Sequence, residues 1–227
     1  DVKVYIEDQD RSVNNKGLQV FGTITKTPVA TGAELVAYSG FSNSNYFSQP
    51  YNSDLNFGTG DLYIMFWANF TQNDAYDLIM ARRAHNGSAY TGNGWYVEMG
   101  NDQNIQIKDS VGGTRAQIDA DSVYNVWQHL CFVRRNNVGY GYKNGVLQSN
   151  TYAWNENLDN TSAVLTIGRG TISGSGDADK TRLALVRIGA SAPTAEQIKK
   201  IYNDEKCLYH ENAKCTLHGT SDDVIAL

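Results

Sequence analysis

Catalysis by paired carboxylates is the first chemistry to test in this sequence. A retaining glycosidase needs two carboxyl groups about 5 Å apart, and alternate residues of one strand would place two acids on the same side. No Glu-x-Asp-x-x-Glu string is present, because Glu34, Glu98 and Glu156 stand apart and Glu7-Asp8-Gln9-Asp10 has no closing acid. We therefore predict no catalytic residues, although acids from distant strands could still converge.

The sequence also offers no motif for a serine nucleophile or for a phosphate-binding loop. There is no Gly-x-Ser-x-Gly on a strand-to-helix turn, and no glycine-rich stretch leads into a helix. His129 lies in a predicted strand, where a packed or surface histidine is the more common case. We expect it to be structural.

Calcium is the cofactor that the acidic loops would suit best. Hard cations bind several oxygen ligands, and Asp177 and Asp179 lie in the loop Gly174-Ser175-Gly176-Asp177-Ala178-Asp179. Asp54 and Asn56 form a second candidate pair. The alternative for each pair is a solvated turn without an ion.

Two loops carry the aromatic and amide side chains that glycan binding would use. A sugar offers an apolar face and a rim of hydroxyls, so an aromatic platform with nearby amides is the expected receptor. The candidate ligand-binding residues are Tyr90, Trp95, Tyr152, Trp154 and Asn155, with Asn93 beside them. Trp154 is the better candidate for an exposed aromatic, although both tryptophans could instead pack in the core or at its rim.

Composition and charge limit the classes of partner that the protein is expected to bind. Of 227 residues, 41% are hydrophobic and only 19% are charged, and the net charge is −5 without any basic run. Nucleic acid is therefore not an expected partner. No apolar stretch approaches the roughly 20 residues that span a bilayer, so no membrane contact is expected.

Period-two alternation predicts an all-β fold. Runs such as Leu62–Phe70, Asn104–Lys108 and Trp127–Arg134 have strand length and are separated by turn residues about every 10 positions. Arg134-Arg135-Asn136-Asn137 and Asn144-Gly145 predict tight hairpin turns. Many short strands of this kind indicate a two-sheet antiparallel sandwich.

One helix is predicted near the end of the chain. It spans Pro193–Lys206, with Thr194 and Gln197 spaced for a capping box and with Ile198, Ile201 and Tyr202 on one apolar stripe. We expect this short helix to pack at the edge of the sandwich.

The cysteines have structural roles at most. Cys131 lies within Leu130–Val133 and reads as a small core residue. Cys207 and Cys215 could pair if the segment folds back, but sequence alone does not fix the geometry.

Four blocks of the sequence together resemble the laminin G-like domains of the concanavalin A-like lectin class. They are Leu55–Trp67, Trp127–Arg135, Tyr140–Leu147, and Leu165–Arg169 followed by Leu183–Ile188 and the helix. The resemblance covers roughly residues 30–202. It implies a jelly-roll sandwich with one C-terminal helix, often a calcium ion at the rim, and binding of glycans or proteins.

Two shorter phrases resemble laminin G-like domains in tail or surface proteins of marine bacteriophage virions. They are Asn45–Leu55 and Ala192–Tyr202. This resemblance implies a structural or adhesive role in tail fibres or on the virion surface.

Together these inferences predict one domain at residues 30–202. Residues 1–29 would form N-terminal strands or a linker, and residues 203–227 a C-terminal extension that could open a further module. We expect a non-catalytic module, extracellular or on a virion, that binds a cell-surface glycan or other virion proteins, and a homo-oligomer would be compatible with this role. The alternative is a polysaccharide-degrading hydrolase or lyase on the same fold.

Overall fold

The fold is a sandwich of two antiparallel sheets. The computed structural model describes residues 17–72, 76–100, 104–119, 124–172 and 176–214. Within these residues, sheet A has the strand order β1-β4-β13-β6-β7-β8-β9 and sheet B the order β12-β11-β10-β5-β14-β3-β2. The predicted fold class, a jelly-roll sandwich with one short C-terminal helix, is confirmed.

The elements are short, as the turn spacing predicted. Two single-turn 3-10 helices lie at Ser53–Leu55 and Lys206–Tyr209, and the α-helix α1 at Ala195–Glu205. The strands are β1 Gln19–Phe21, β2 Thr25–Pro28, β3 Val36–Ser39, β4 Tyr46–Gln49, β5 Leu62–Phe70, β6 Asp77–His85, β7 Tyr90–Met99, β8 Asn104–Asp109, β9 Thr114–Asp119, β10 Trp127–Arg135, β11 Val138–Lys143, β12 Val146–Ala153, β13 Val164–Ile167 and β14 Thr181–Gly189.

Both predicted hairpin turns are present. Asn136 and Asn137 have φ values of 51° and 62°, and they join β10 to β11. Asn144 and Gly145, at 52° and 73°, join β11 to β12. Asparagine and glycine tolerate this left-handed region best, so the local sequence fixes where these strands reverse.

The main core lies between the two sheets and consists of the inward half of each alternating strand. Ile105 and Ile107 of β8 and Leu130 and Phe132 of β10 are fully buried in it. The complementary residues of the same strands face outward, which leaves one outer face on each sheet.

Two buried arginines hold the loops at one end of the sandwich. Arg134 is fully buried and donates to the carbonyl oxygens of Gly60, Glu156 and Gly58 at 2.6–2.9 Å. Arg82, 1% exposed, donates to Leu158 O at 3.0 Å. Each guanidinium satisfies backbone acceptors that would otherwise be buried without partners.

Helix α1 packs across the outer face of sheet B, so the expectation of an edge position is wrong. Its capping box between Thr194 and Gln197 is confirmed, and Ile198 is fully buried among outward residues of β5 and β10 such as Met65 and Cys131. Sheet B can accept a helix here because its outward residues at this point are apolar. Burial raises the pKa of the Cys131 thiol, as expected for a core residue.

The sandwich extends beyond both predicted boundaries. Before residue 30, β1 pairs with β4 and β2 pairs with β3, so these strands are edges of the two sheets. After residue 202, the Tyr209 ring stacks on Trp67 at 4.2 Å, and Asn212 N donates to Thr31 O at 2.8 Å. Residues 203–214 therefore pack on the domain. The predicted strand at residues 2–6 lies outside the described residues.

Two further findings concern the cysteines and the membrane. Cys207 is exposed with a free thiol, and its proposed partner Cys215 lies outside the described residues.

In the part of the chain that the structure describes, no helix has the length and apolar character needed to cross a bilayer.

Candidate functional site

The outer face of sheet A carries a row of side chains that crosses five strands. The pairing register places Ser48, Thr166, Ala81, Tyr96 and Lys108 side by side on β4, β13, β6, β7 and β8. Their chain neighbours point into the core, so strand alternation directs this row outward. At the usual strand spacing the row is about 19 Å long.

An arginine clamped between two tyrosines lies beside this row. Arg83 follows Ala81 by two positions on β6 and shares its side of the sheet. Its guanidinium carbon is 3.8 Å from the ring centroid of Tyr90 and 4.1 Å from that of Tyr96. Arg83 Nη2 also donates to Tyr90 Oη at 3.2 Å. Arg83 is only 5% exposed, so the two rings cover most of the side chain.

Burial sets the electrostatics of this clamp. It lowers the pKa of Arg83, and the neighbouring Tyr90, Tyr96 and Glu98 act in the opposite direction. An arginine nevertheless stays protonated at neutral pH. The clamp is therefore a fixed and partly desolvated positive charge.

An ion pair lies next to the clamp. Lys108 Nζ is 2.5 Å from Glu98 Oε1. Burial alone would lower the pKa of Lys108, but the hydrogen bond and charge of Glu98 outweigh it and the pKa is raised. Burial, and then the charge of Glu98, raise the pKa of Tyr96, so its hydroxyl keeps its proton and can donate.

Amides extend the polar face toward the edge of the sheet. Gln106 Nε2 donates to Gln117 Oε1 at 3.0 Å, and Tyr152 Oη of sheet B donates to the same oxygen at 3.3 Å. These groups give the face donors and acceptors of the kind that hydroxyl groups bind.

A second arginine–tyrosine stack lies at the opposite end of the face. The guanidinium carbon of Arg169 is 3.6 Å from the Tyr46 ring centroid, and Tyr46 stacks on Phe21 at 4.6 Å. Arg169 Nη1 donates to Asn43 O at 2.6 Å. Partly exposed aromatic rings thus lie at both ends of the row.

The first predicted glycan loop contributes Tyr90 to this face, whereas Trp95 faces the other way. Trp95 is fully buried in the core because β7 alternates, and its neighbour Tyr96 takes the outward position. Trp95 cannot contact a ligand in this conformation, and its prediction as a binding residue is wrong. Asn93 is exposed, and its carbonyl oxygen accepts from Asn160 Nδ2 at 2.7 Å.

The candidate residues of the second predicted loop also differ in where their side chains lie. Trp154, named as a candidate binding residue with packing in the core as the alternative, is fully buried, with its indole 5.4 Å from the Arg134 guanidinium. The alternative is therefore the outcome, because the loop folds inward over the end of the sandwich. Tyr152 reaches Gln117 as described above, and Asn155 is exposed away from the core.

The structure argues against an ion at Asp54 and Asn56. Asn56 Oδ1 accepts from Arg82 Nη2 at 2.5 Å, so a guanidinium already occupies the oxygen that calcium would need. Asp54 is exposed on the short 3-10 helix.

Asp177 and Asp179 remain a predicted calcium pair. Burial raises the pKa of Asp177, and the charge of Asp179 raises it further. Lys180 Nζ lies 2.5 Å from Asp179 Oδ2 and competes with any cation there. Among the described residues, no three His, Cys, Asp or Glu side chains come together as a metal site.

Sequence reasoning missed Arg83, Tyr96, Glu98 and Lys108. Alternation in β7 could have marked Tyr96 and Glu98 as outward, since Trp95, Val97 and Met99, which alternate with them, are strongly apolar. The neighbouring strands that bring Arg83 and Lys108 alongside could not be read from the sequence.

Comparison with known proteins identifies the fold independently. A family model of the laminin G type, described as the concanavalin A-like lectin/glucanases superfamily, matches residues 41–199. The comparison with curated proteins found no match.

Several solved structures share the fold at low sequence identity. Domain 4 of AbnA, a GH43 extracellular arabinanase from Geobacillus stearothermophilus in complex with arabinotriose, aligns with a TM-score of 0.60 and 17% identity over 84% of this chain and 91% of that one. The binding domain of Paraclostridial Mosquitocidal Protein 1 aligns with a TM-score of 0.62 and 18% identity over 89% of this chain. The receptor binding domain of botulinum neurotoxin C/D mosaic serotype aligns with a TM-score of 0.62 and 14% identity over 87% of this chain. The chain spans 51% and 48% of the last two.

Proposed function

This chain belongs to the concanavalin A-like lectin/glucanases superfamily, and from that membership we propose that it is a non-catalytic glycan-binding domain. Its binding surface is the outer face of sheet A, from the Arg83 clamp to Gln117. The single observation that carries this proposal is the clamp itself, with Tyr90 and Tyr96 3.8 Å and 4.1 Å from the guanidinium.

The chemistry of the face supports a polyhydroxylated ligand. Tyrosine rings offer apolar surface to the C–H face of a sugar, while their hydroxyls and the amides of Gln106 and Gln117 offer hydrogen bonds to its rim. Domain 4 of the arabinanase aligns with this chain over 91% of its own length, and its structure is described in complex with arabinotriose. Because the two chains are only 17% identical, this likeness supports a glycan as the class of ligand but does not identify the sugar.

Glycan binding predicts that Tyr96→Ala weakens binding about tenfold or more, since a partly desolvated aromatic platform contributes on the order of 1–2 kcal/mol. Binding is measured on a glycan array and then by affinity electrophoresis in gels that contain each polysaccharide that gives a signal. Tyr140→Ala is the matched control, because Tyr140 lies 5.7 Å from the Arg135 guanidinium on sheet B.

Equal retardation of Tyr96→Ala and the wild-type protein would place binding elsewhere on the molecule. No signal on any glycan would favour a scaffold role, in which the faces of the domain are buried against other proteins. Thermal melting of each variant distinguishes loss of binding from loss of fold.

The alternative is a polysaccharide hydrolase or lyase. It draws on the superfamily description, which includes glucanases, and on Glu98, a carboxylate on the same face. Glu98 is paired with Lys108 rather than with a second acid, which favours binding over hydrolysis. Release of reducing sugar from a bound polysaccharide, abolished by Glu98→Gln, would establish the enzyme instead.

We place the domain outside the cell, on a secreted protein or a virion surface. Support comes from the phrases at residues 45–55 and 192–202 that resemble domains of bacteriophage surface proteins. Immunogold labelling of intact virions and of culture supernatant tests this placement. Labelling confined to the cell interior would contradict it.

A further inference from the structure

Arg83 has more hydrogen-bond donors than the described residues engage. A guanidinium carries five N–H donors, and in this part of the chain the acceptor that contacts it is Tyr90 Oη at 3.2 Å. Arg83 Nε is buried and has no partner among these residues. Burying a charged group with unpaired donors costs free energy, and a further acceptor that binds those donors would remove the cost.

The other buried arginines of the domain differ from Arg83 in this respect. Arg134 donates to several backbone carbonyl oxygens, and Arg82 donates to Leu158 O at 3.0 Å and to Asn56 Oδ1 at 2.5 Å. Their donors hold loops in place. Arg83 lies instead on the outer side of sheet A, where its hydrogen bond goes to the Tyr90 hydroxyl and not to a loop carbonyl.

The two rings restrict how a ligand can approach Arg83. Tyr90 and Tyr96 cover the guanidinium with centroids at 3.8 Å and 4.1 Å, so a ligand must meet the N–H groups at their edge. Carboxylate and sulfate oxygens match this edge because they accept two parallel N–H bonds at once. The Tyr90 hydroxyl lies at this edge, since it accepts from Arg83 Nη2, and a hydroxyl can also donate.

The local charge favours an anion. Arg83 and Lys108 bring two positive charges to this part of the face and Glu98 one negative charge, and Glu98 is already bonded to Lys108. One positive charge is therefore left over at the clamp, in a chain whose net charge is −5. The attraction acts at short range, since the whole chain repels polyanions.

We propose that Arg83, held between Tyr90 and Tyr96, recognises an anionic group on a glycan, either the carboxylate of a uronic acid or a sulfate ester. This inference rests on the proposed glycan-binding function and names its class of ligand. The shared chemistry is an oxyanion with at least two acceptor oxygens in the plane of the guanidinium.

The test compares acidic polysaccharides with their neutral partners. The pairs are polygalacturonate with its methyl ester, alginate with its propylene glycol ester, and dextran sulfate with dextran, each assayed by affinity electrophoresis and calorimetry. We expect at least one acidic member to bind about tenfold or more tightly than its neutral partner. The pair that discriminates tells whether the group is a carboxylate or a sulfate.

Three variants locate the effect. Arg83→Gln should weaken binding of the acidic member about 10-fold to 100-fold and remove its advantage over the neutral partner. Arg83→Lys should lose most of the same advantage, because an ammonium neither stacks between two rings nor forms paired bonds. Arg182→Gln is the matched control, since Arg182 lies 5.4 Å from the Trp127 ring on sheet B.

Failure of this inference is distinguishable from failure of the proposed function. Binding with equal affinity to both members of every pair would overturn anion recognition and leave glycan binding in place. Acid preference that survives in Arg83→Gln would overturn the role of Arg83. Absence of binding to these pairs and to the glycan array would overturn both.

Discussion

His129 is a buried histidine, and neither of its ring nitrogens has a hydrogen-bond partner in the part of the chain that the structure describes. Its ring lies 5.3 Å from that of Trp67 and 6.2 Å from that of Tyr202, on the outer face of sheet B beneath the chain end. Burial, and then the positive charge of Arg187, lower the pKa of His129 from 6.5 to about 4. The side chain is therefore neutral in the folded protein at ordinary pH and has the structural role expected from the sequence.

This shift makes stability depend on pH in a predictable direction. Below about pH 6.5 the unfolded chain binds a proton at His129 that the folded chain does not, so stability falls until the pH reaches about 4. The loss attributable to His129 is at most about 3 kcal/mol. We expect His129→Leu to remove this part of the loss, as measured by urea unfolding at pH 7 and pH 5.

His210→Gln is the control for this experiment, because His210 is exposed. It should retain the wild-type pH dependence. Identical changes in unfolding free energy between pH 7 and pH 5 for wild type and His129→Leu would contradict the assignment.

Two pairs of arginines in this domain differ in what surrounds their guanidinium groups. Arg82 and Arg134 donate to backbone carbonyl oxygens and hold loops in place. Arg83 and Arg169 stack on tyrosines of sheet A, and each has a buried Nε without a partner. Arginine residues adjacent in sequence thus serve a structural role at one position and a surface role at the next, because strand alternation separates them.

At one side of the sandwich, the edge strand of sheet A packs over the second strand of sheet B. Strand β9 of sheet A packs over β11 of sheet B, and a Cβ atom at Gly139 would lie 1.7 Å from the carbonyl oxygen of Arg115. The missing side chain at Gly139 therefore permits the close approach. Gly141 has the same role, with a Cβ position 2.3 Å from Gln117 O.

This contact predicts a large effect for a small substitution. Gly139→Ala should lower the free energy of unfolding by at least about 2 kcal/mol, because two backbones would have to separate. Gly60→Ala is the comparison, since its nearest contact would be 3.2 Å. Urea midpoints of the two variants measure the difference, and equal midpoints would show that β9 can move away without cost.

Helix α1 illustrates how local and long-range signals combine. Thr194 and Gln197 start the helix by reciprocal hydrogen bonds at 3.2 Å and 2.8 Å, a local effect that the spacing predicted. Glu205 then fixes its far end, since its carboxylate accepts from the Trp67 indole at 2.7 Å and from Arg187 at 2.5 Å. The sheet contact that orients this helix is not visible in the helix sequence.

At the scale of the whole molecule, the chain after α1 is part of the domain. Tyr209 stacks 4.2 Å from Trp67 and lies 5.0 Å from Trp127, so it covers two large aromatic side chains of sheet B. A chain that ends at Tyr202 would expose these rings and lose Glu205.

We therefore expect a chain that ends at Tyr202 to be less stable than one that ends at Lys214 by about 3 kcal/mol. For a domain of this size the loss corresponds to a melting temperature lower by about 6–12 °C. Tyr209→Ala in the longer chain should reproduce a large part of the decrease. Equal melting temperatures for the two chains would show that residues 203–214 contribute nothing to the sandwich.

Local patterns in the sequence were sufficient to predict several elements of this protein. Alternation predicted which residues of β8 and β10 point into the core between the sheets. Asn136-Asn137 and Asn144-Gly145 predicted two reversals, and Thr194 and Gln197 predicted a helix start. These outcomes follow from contacts within a few residues, so a pattern of residue types is sufficient to predict them.

Which side chains meet depends on contacts between strands that are distant in sequence. Trp154 is buried in the core beside Arg134 of β10, and Asn56 accepts a hydrogen bond from Arg82 of β6. The candidate site likewise depends on the register that sets Arg83 of β6 beside Tyr96 of β7. Strand neighbours and their register are settled by the packing of the whole core, and a single-strand pattern carries no information about them.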